Sequence, residues 1–180
     1  MKDIALELAR LHVLRGADFV RQLKLLAKSG VFRPVENEKD IYETDACHRE
    51  DYPLLLDAAR KSVARGNKVY ILPNPSGIRT ADFIFENKGI YKMYDLKTIT
   101  GRSSLENRLM ESIGQTHHVL LNVCTNYNPR LMAVQIRNYF NVNPDALEVL
   151  VYKGRKTISV TRRFVNNRLY LMLFRQKYEQ

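Results

Sequence analysis

A chain of 180 residues has room for one principal core and a small helical appendage, not for two full-sized domains. Apolar residues make up 45% of it, yet no apolar run approaches the roughly 18 residues of a membrane span. The formal net charge is +10, and residues 130–180 hold ten Lys and Arg against three Asp and Glu, +7 of that total. Such a balance suits a polyanionic partner, of which nucleic acid is the commonest. The first residues, MKDIALELAR, mix acidic with apolar side chains and offer no small-residue cleavage site, so a signal peptide is not expected. The expected compartment is the cytoplasm, which leaves delivery into another cell open. Cys47 and Cys124 belong to no Cys-x-x-Cys motif and read as reduced thiols rather than a disulfide or a zinc site.

Residues 3–15 place Ile4, Leu8 and Leu11 at helical spacing, and residues 17–28 repeat the pattern with Phe19, Leu23 and Leu26. Gly16 joins these two helices and Gly30 stops the second. Neither carries a catalytic grouping, so packing or partner docking is their expected role. The polar stretch 33–51 reads as a linker with at most one helical turn. Residues 1–50 are therefore expected to form N-terminal helices and a linker, with the main domain over 51–180.

Pro53 opens a helix over Leu54–Arg65 that ends at Gly66. KVYILP (68–73) is a short buried strand and NPSGIR (74–79) a loop. Strand ADFIFE, the turn Asn87-Lys88-Gly89 and strand IYKMYDLKTI predict an antiparallel hairpin. Alternation in its second strand puts Tyr91, Met93, Asp95, Lys97 and Ile99 on one face. Ser103 and Glu106 form a capping box for a helix expected to reach Gln115, with Leu105, Leu109 and Ile113 as its apolar stripe. Arg108, Glu111 and Gln115 share another side. HVLLNV is a strand, and Asn128 caps a helix from Pro129 that turns Met132, Ile136, Tyr139 and Phe140 inward. LEVLVYK, KTISVTR and RLYLMLF predict three closing strands. The helix between the Asp95 strand and HVLLNV is long enough for a crossover, so those two strands are expected to be parallel. The sum is an α/β protein: a mixed sheet with an αβββαβ core, helices on both faces, N-terminal helices and a C-terminal β-hairpin extension.

Asp82 and Asp95 on adjacent strands can share a divalent cation, since Mg²⁺ takes one or two carboxylates and completes its shell with water and phosphate oxygen. A lysine on the same face as Asp95 can orient an attacking water or neutralise charge growing on a phosphorane. Asp82, Asp95 and Lys97 therefore make a phosphodiesterase set, with Mg²⁺ as the expected metal and Mn²⁺ or Zn²⁺ as alternatives. Arg102 and Arg108 flank the set and are expected substrate contacts. Two other readings stand beside it: a non-catalytic nucleic-acid-binding module, and a metal-independent ribonuclease using His117 or His118 as acid or base. Ten tyrosines offer stacking on unpaired bases, although most are expected in the core.

Ala81-Asp82, Asp95-Leu96-Lys97 and Gln115 ahead of a strand resemble the PD-(D/E)xK nuclease superfamily, whose core is the αβββαβ restriction-endonuclease-like fold. More narrowly, ADFIF, YDLKTI, SLENRLMESIGQTHHVLLNV and LEVLVYKGRKTISV are similar in order and spacing to the C-terminal tRNA nuclease domain of CdiA-type contact-dependent inhibition toxins. The likeness covers about residues 54–163. It departs from the pattern at Ala81, where proline often stands, and at Asp95, where glutamate is common. The resemblance implies a nuclease-like domain over 51–180 acting on RNA, tRNA in particular, in preference to DNA. It also implies a site role for Gln115, a further carboxylate near the preceding helix (Glu50 or Asp57), and an acidic immunity protein as partner.

Overall fold

The computed structural model describes residues 4–45, 50–75, 77–101 and 105–180. They fall into two compact units, Met1–Tyr94 and Asp95–Gln180. In the first unit α1 (Ile4–Val13) and α2 (Gly16–Ala27) turn Leu8, Leu11, Leu23 and Leu26 onto Leu72, Ala81, Ile84 and Met93. The helical spacing read from the sequence is thus the spacing that builds this core. Two short strands, β1 (Arg33–Pro34) and β2 (Ile41–Glu43), pair antiparallel, and β2 pairs parallel with β3 (Lys68–Ile71) across α3 (Tyr52–Val63). β3 runs antiparallel to β4 (Phe83–Asn87), and β4 antiparallel to β5 (Ile90–Ile99). The hairpin between β4 and β5 turns on Lys88 (φ +50°) and Gly89 (φ +80°). Two successive left-handed residues are what a two-residue turn of matching twist demands.

The stretch expected to be a linker is the first correction. Residues 33–43 fold back as β1 and β2, helped by Asn37 (φ +60°) and Asp40 (φ +57°), residue types that tolerate a left-handed backbone. Strands of two and three residues are too short for any periodicity to register. Cys47 and the capping residue Ser103 lie outside the described residues.

The second unit begins within β5. Asp95–Ile99 of that strand pair parallel with β6 (His118–Val123), β6 parallel with β7 (Glu148–Lys153), and β7 antiparallel with β8 (Lys156–Thr161). α4 (Leu105–Glu111) lies between β5 and β6, and α5 (Pro129–Val142) between β6 and β7. α6 (Arg162–Val165) and α7 (Tyr170–Glu179) close the chain. Asn128 caps α5 as expected, its Oδ1 accepting from Leu131 N at 3.0 Å. Strand pairing follows chain order from β1 to β8, a mixed sheet in an α/β fold. The expected αβββαβ run is α3, β3, β4, β5, α4 and β6, with β5 and β6 parallel, and β7 and β8 form the expected hairpin. No helix among the described residues is long and apolar enough to cross a membrane.

Two expectations for this unit fail. RLYLMLF is not a strand: it opens α7, which buries Tyr170, Phe174 and Tyr178 at intervals of four. Leu169, Leu171, Met172 and Leu173 fill the intervening positions with apolar residues, which hides the helical period. The helix expected to reach Gln115 ends at Glu111. Beyond it Ser112, Ile113 and Gln115 donate their amides to carbonyls three residues back, a tighter winding than the α-helix. The phase shifts accordingly, so Ser112 is buried where Ile113 was expected, and Ile113 is exposed.

Candidate active site and basic surface

Lys97 and Asp95 point the same way from β5, as strand alternation requires, and Lys97 Nζ lies 3.0 Å from Asp95 Oδ2. The side chains are 11% and 2% exposed. Their surroundings are apolar. In the parallel register Asp95 partners Val119, Lys97 partners Leu121 and Ile99 partners Val123. Ile99, Val119, Leu121 and Val123 belong to the core closed by Leu105 and Leu109 of α4 and by Ile136, Tyr139 and Phe140 of α5. Water is scarce around the pair, so its attraction is stronger than on a surface and the loss of either member costs more.

A buried polar relay serves the same core. Asn143 Nδ2 donates to Tyr139 Oη at 3.0 Å, and Ser112 Oγ lies 3.3 Å from that hydroxyl. Ser112 has one hydroxyl proton, and its 2.6 Å bond to Leu109 O takes it. The phenol therefore donates to Ser112, so the protons run in order from Asn143 through Tyr139 and Ser112 to the carbonyl of Leu109. Burial pushes the Tyr139 phenol above its ordinary pKa, the bond it accepts from Asn143 opposes this, and the charge of Asp95 adds to the rise. Tyr139 stands 27 residues from Ser112. The sequence marks it only as a core residue of α5, and nothing in its spacing signals the relay.

The relay anchors the turn that carries Gln115. Gln115 N donates to Ser112 O at 3.1 Å, and Gln115 Nε2 donates to Glu111 O at 2.9 Å, satisfying a carbonyl at the end of α4. Arg108 Nη1 is 3.9 Å from Glu111 Oε2, so Arg108, Glu111 and Gln115 do gather at one end of this helix. Asp82 belongs to the first unit, one residue before β4, and is 8% exposed. Its amide donates to Tyr94 O at 2.9 Å and its carbonyl accepts from Leu72 N at 2.8 Å. Of the two carboxylates considered near α3, Asp57 lies within hydrogen-bond reach of Lys61, Oδ2 to Nζ 2.7 Å, while Glu50 is exposed ahead of the helix. Arg102 lies outside the described residues. His117 and His118 are half-buried, with His117 O accepting the amides of Leu147 and Glu148 and His118 opposite Glu148 across β6 and β7. Among the described residues no three His, Cys, Asp or Glu side chains cluster as a metal cage.

The ten cations of residues 130–180 are not equivalent. Arg162 donates to Phe140 O and Asn143 O at 2.9 Å and lies over the Phe140 ring at 5.4 Å, closing the end of α5. Lys156 Nζ donates to Tyr178 O at 2.8 Å at the end of α7, and Lys153 Nζ to Thr125 O at 2.7 Å. Arg137 stacks on Tyr170 at 5.0 Å, and Arg175 pairs with Glu179 at 2.9 Å. Arg130, Arg155, Arg163, Arg168 and Lys177 are exposed and have no ion pair among the described residues. Five of the ten cations bond or stack within the fold, and the other five face solvent without an ion pair among the described residues. Arg162→Ala is accordingly expected to lower stability by about 2 kcal/mol, since several carbonyls lose a charged donor. Arg163→Ala is expected to stay within about 0.5 kcal/mol of the parent in the same urea titration.

The fold and these side chains define an α/β protein with a buried aspartate–lysine pair and a cationic second unit. No family model matches the chain, and no curated protein sequence matches it. Among solved structures it is similar to a chain described as a CdiA-CT/CdiI toxin and immunity complex from Burkholderia pseudomallei. Identity is 15%, the match covers 61% of this chain and 83% of that one, and the TM-score is 0.45. A likeness of that degree carries no statement of activity.

Proposed function

We propose that the chain is a nuclease that hydrolyses phosphodiester bonds in RNA with the help of a divalent cation. The observation that carries the reading is the Lys97–Asp95 pair, 3.0 Å apart and set into the core of the second unit. A lysine kept beside a carboxylate in apolar surroundings is costly to maintain for stability alone, which makes it a candidate for chemistry. Water's oxygen bonds to phosphorus as the bond to the leaving oxygen breaks, the water gives up a proton and the leaving oxygen gains one. Lys97 Nζ orients that water or neutralises charge on the phosphorane. Asp95, with Asp82 assigned beside it from the sequence, would hold the cation, which would supply a more acidic bound water and offset phosphate charge. Two carboxylates suit Mg²⁺ or Mn²⁺, which keep water and phosphate oxygen as their other ligands, better than Zn²⁺, which favours nitrogen and sulfur. Gln115 steadies the site from the end of α4, Arg108 meets substrate beside it, and Arg102 is assigned the same task from the sequence.

The tRNA preference and an acidic immunity protein as partner follow from the family resemblance of the sequence alone. Incubation of the full chain with total tRNA, other RNA and DNA, in Mg²⁺ or Mn²⁺ and then in chelator, tests the proposal. Cleavage of RNA that stops in chelator is expected. Cleavage that persists in chelator and disappears on His117→Ala or His118→Ala points to the metal-independent chemistry instead, and salt-sensitive binding with no turnover points to a binding module.

A further inference from the structure

The chain holds ten tyrosines, seven phenylalanines and no tryptophan, and every one of those rings lies within the described residues. None is exposed. In the second unit Tyr127, Tyr139, Tyr152, Tyr170 and Tyr178 are all buried, and the half-buried Phe164 meets Tyr170 edge-on at 5.2 Å. In the first unit the half-buried rings are likewise engaged: Tyr42 stacks on Tyr70 at 5.2 Å, Phe32 meets Tyr70 edge-on at the same distance, and Tyr52 Oη donates to Glu43 at 2.6 Å. The cationic side chains of residues 130–180 that face solvent without an ion pair among the described residues are Arg130, Arg155, Arg163, Arg168 and Lys177.

These two facts divide nucleic acids into classes. Unpaired strands are held largely by stacking of bases on exposed aromatic rings, together with backbone charge. Paired strands hide their bases and present phosphate, at about one charge per 1.7 Å of duplex axis. Guanidinium groups engage phosphate oxygens in pairs and need no base. We propose that the second unit binds base-paired nucleic acid through its phosphates, with Arg130, Arg155, Arg163, Arg168 and Lys177 as the contacts and without reading base sequence. The inference rests on the nuclease reading for the identity of the polyanion, and it adds the strandedness and the residues.

The test is equilibrium binding of the full chain in chelator, comparing a short RNA duplex, a duplex of permuted sequence and oligouridine of equal phosphate count. The duplexes are expected to bind alike and about tenfold tighter than oligouridine, since no exposed ring adds base stacking for the single strand. Five phosphate contacts give a log–log salt slope of about −4, a loss of roughly two orders of magnitude in affinity between about 50 and 200 mM salt. The triple variant Arg155→Ala/Arg163→Ala/Arg168→Ala is expected to make that slope shallower by about 3, whereas Lys156→Ala leaves it unchanged. Oligouridine binding as tightly as duplex overturns the inference and leaves the nuclease reading standing. Binding to neither at low salt overturns both, and polyglutamate binding as tightly as duplex assigns the cations to an acidic protein and overturns the inference as well.

Discussion

Replacing Lys97 by methionine is expected to destabilise the protein by about 3–5 kcal/mol, the cost of removing one partner from a buried ion pair. The carboxylate of Asp95, 2% exposed, loses the cation that lies 3.0 Å away and keeps its apolar neighbours. Folded domains are stable by about 5–15 kcal/mol, so the loss is a large fraction of the total. The double variant Asp95→Leu/Lys97→Met replaces both charges with apolar side chains and is expected to return to within about 1 kcal/mol of the parent, or above it. The proposed nuclease activity is expected to stay lost in it. Urea titration of the three proteins, beside a cleavage assay, separates the two roles of the pair, because stability is expected to recover in the double variant and cleavage is not. A single variant as stable as the parent would mean that Lys97 and Asp95 are solvated and that the low-dielectric argument for their chemistry fails.

The second large effect lies at the C-terminus, where sequence and structure disagree. In a strand Tyr170, Met172 and Phe174 share one face, so truncating Met172 and Phe174 would cost alike. In α7 Phe174 is 0% exposed and Met172 49% exposed. Phe174→Ala is therefore expected to cost about 3–5 kcal/mol by transfer and cavity formation, and Met172→Ala to stay within about 0.5 kcal/mol. Equal costs at the two positions would restore the strand.

The parts of the fold that were legible are those in which a local rule met no competitor. Lys88-Gly89 fixes a hairpin whatever surrounds it, Asn128-Pro129 starts a helix from its own side chain and ring, and parity alone puts Asp95 beside Lys97. The parts that were not legible depend on tertiary choices. The first half of α7, Tyr170 to Phe174, is apolar all round, and only the core it meets selects Tyr170 and Phe174, with Tyr178 a turn further on, as the inner face. β1 and β2 draw their stability from pairing, each being too short to announce itself. At the site, the change of winding after Glu111 turned Ser112 inward in place of Ile113, and with it came the bond to Tyr139 that no spacing foretells. The tyrosines, which offer stacking on bases in the sequence, are consumed by packing, and five of the ten cations of residues 130–180 are engaged by carbonyls, a ring or a carboxylate of the fold. Both features underlie the proposal of bare phosphate contact.

Whether Asp95 and Lys97 act in phosphodiester hydrolysis is decided by single-turnover cleavage of total tRNA in Mg²⁺ by Asp95→Asn and Lys97→Ala. Each variant is to be assayed in urea-free buffer well below its melting temperature, where it remains folded. Both variants are expected to lose about 10²- to 10⁴-fold in rate, the range for removal of a group that moves or steadies a proton, while affinity for the RNA is expected to change little because the proposed phosphate contacts lie on Arg130, Arg155, Arg163, Arg168 and Lys177. A parental rate in either variant would contradict the role of the pair in hydrolysis.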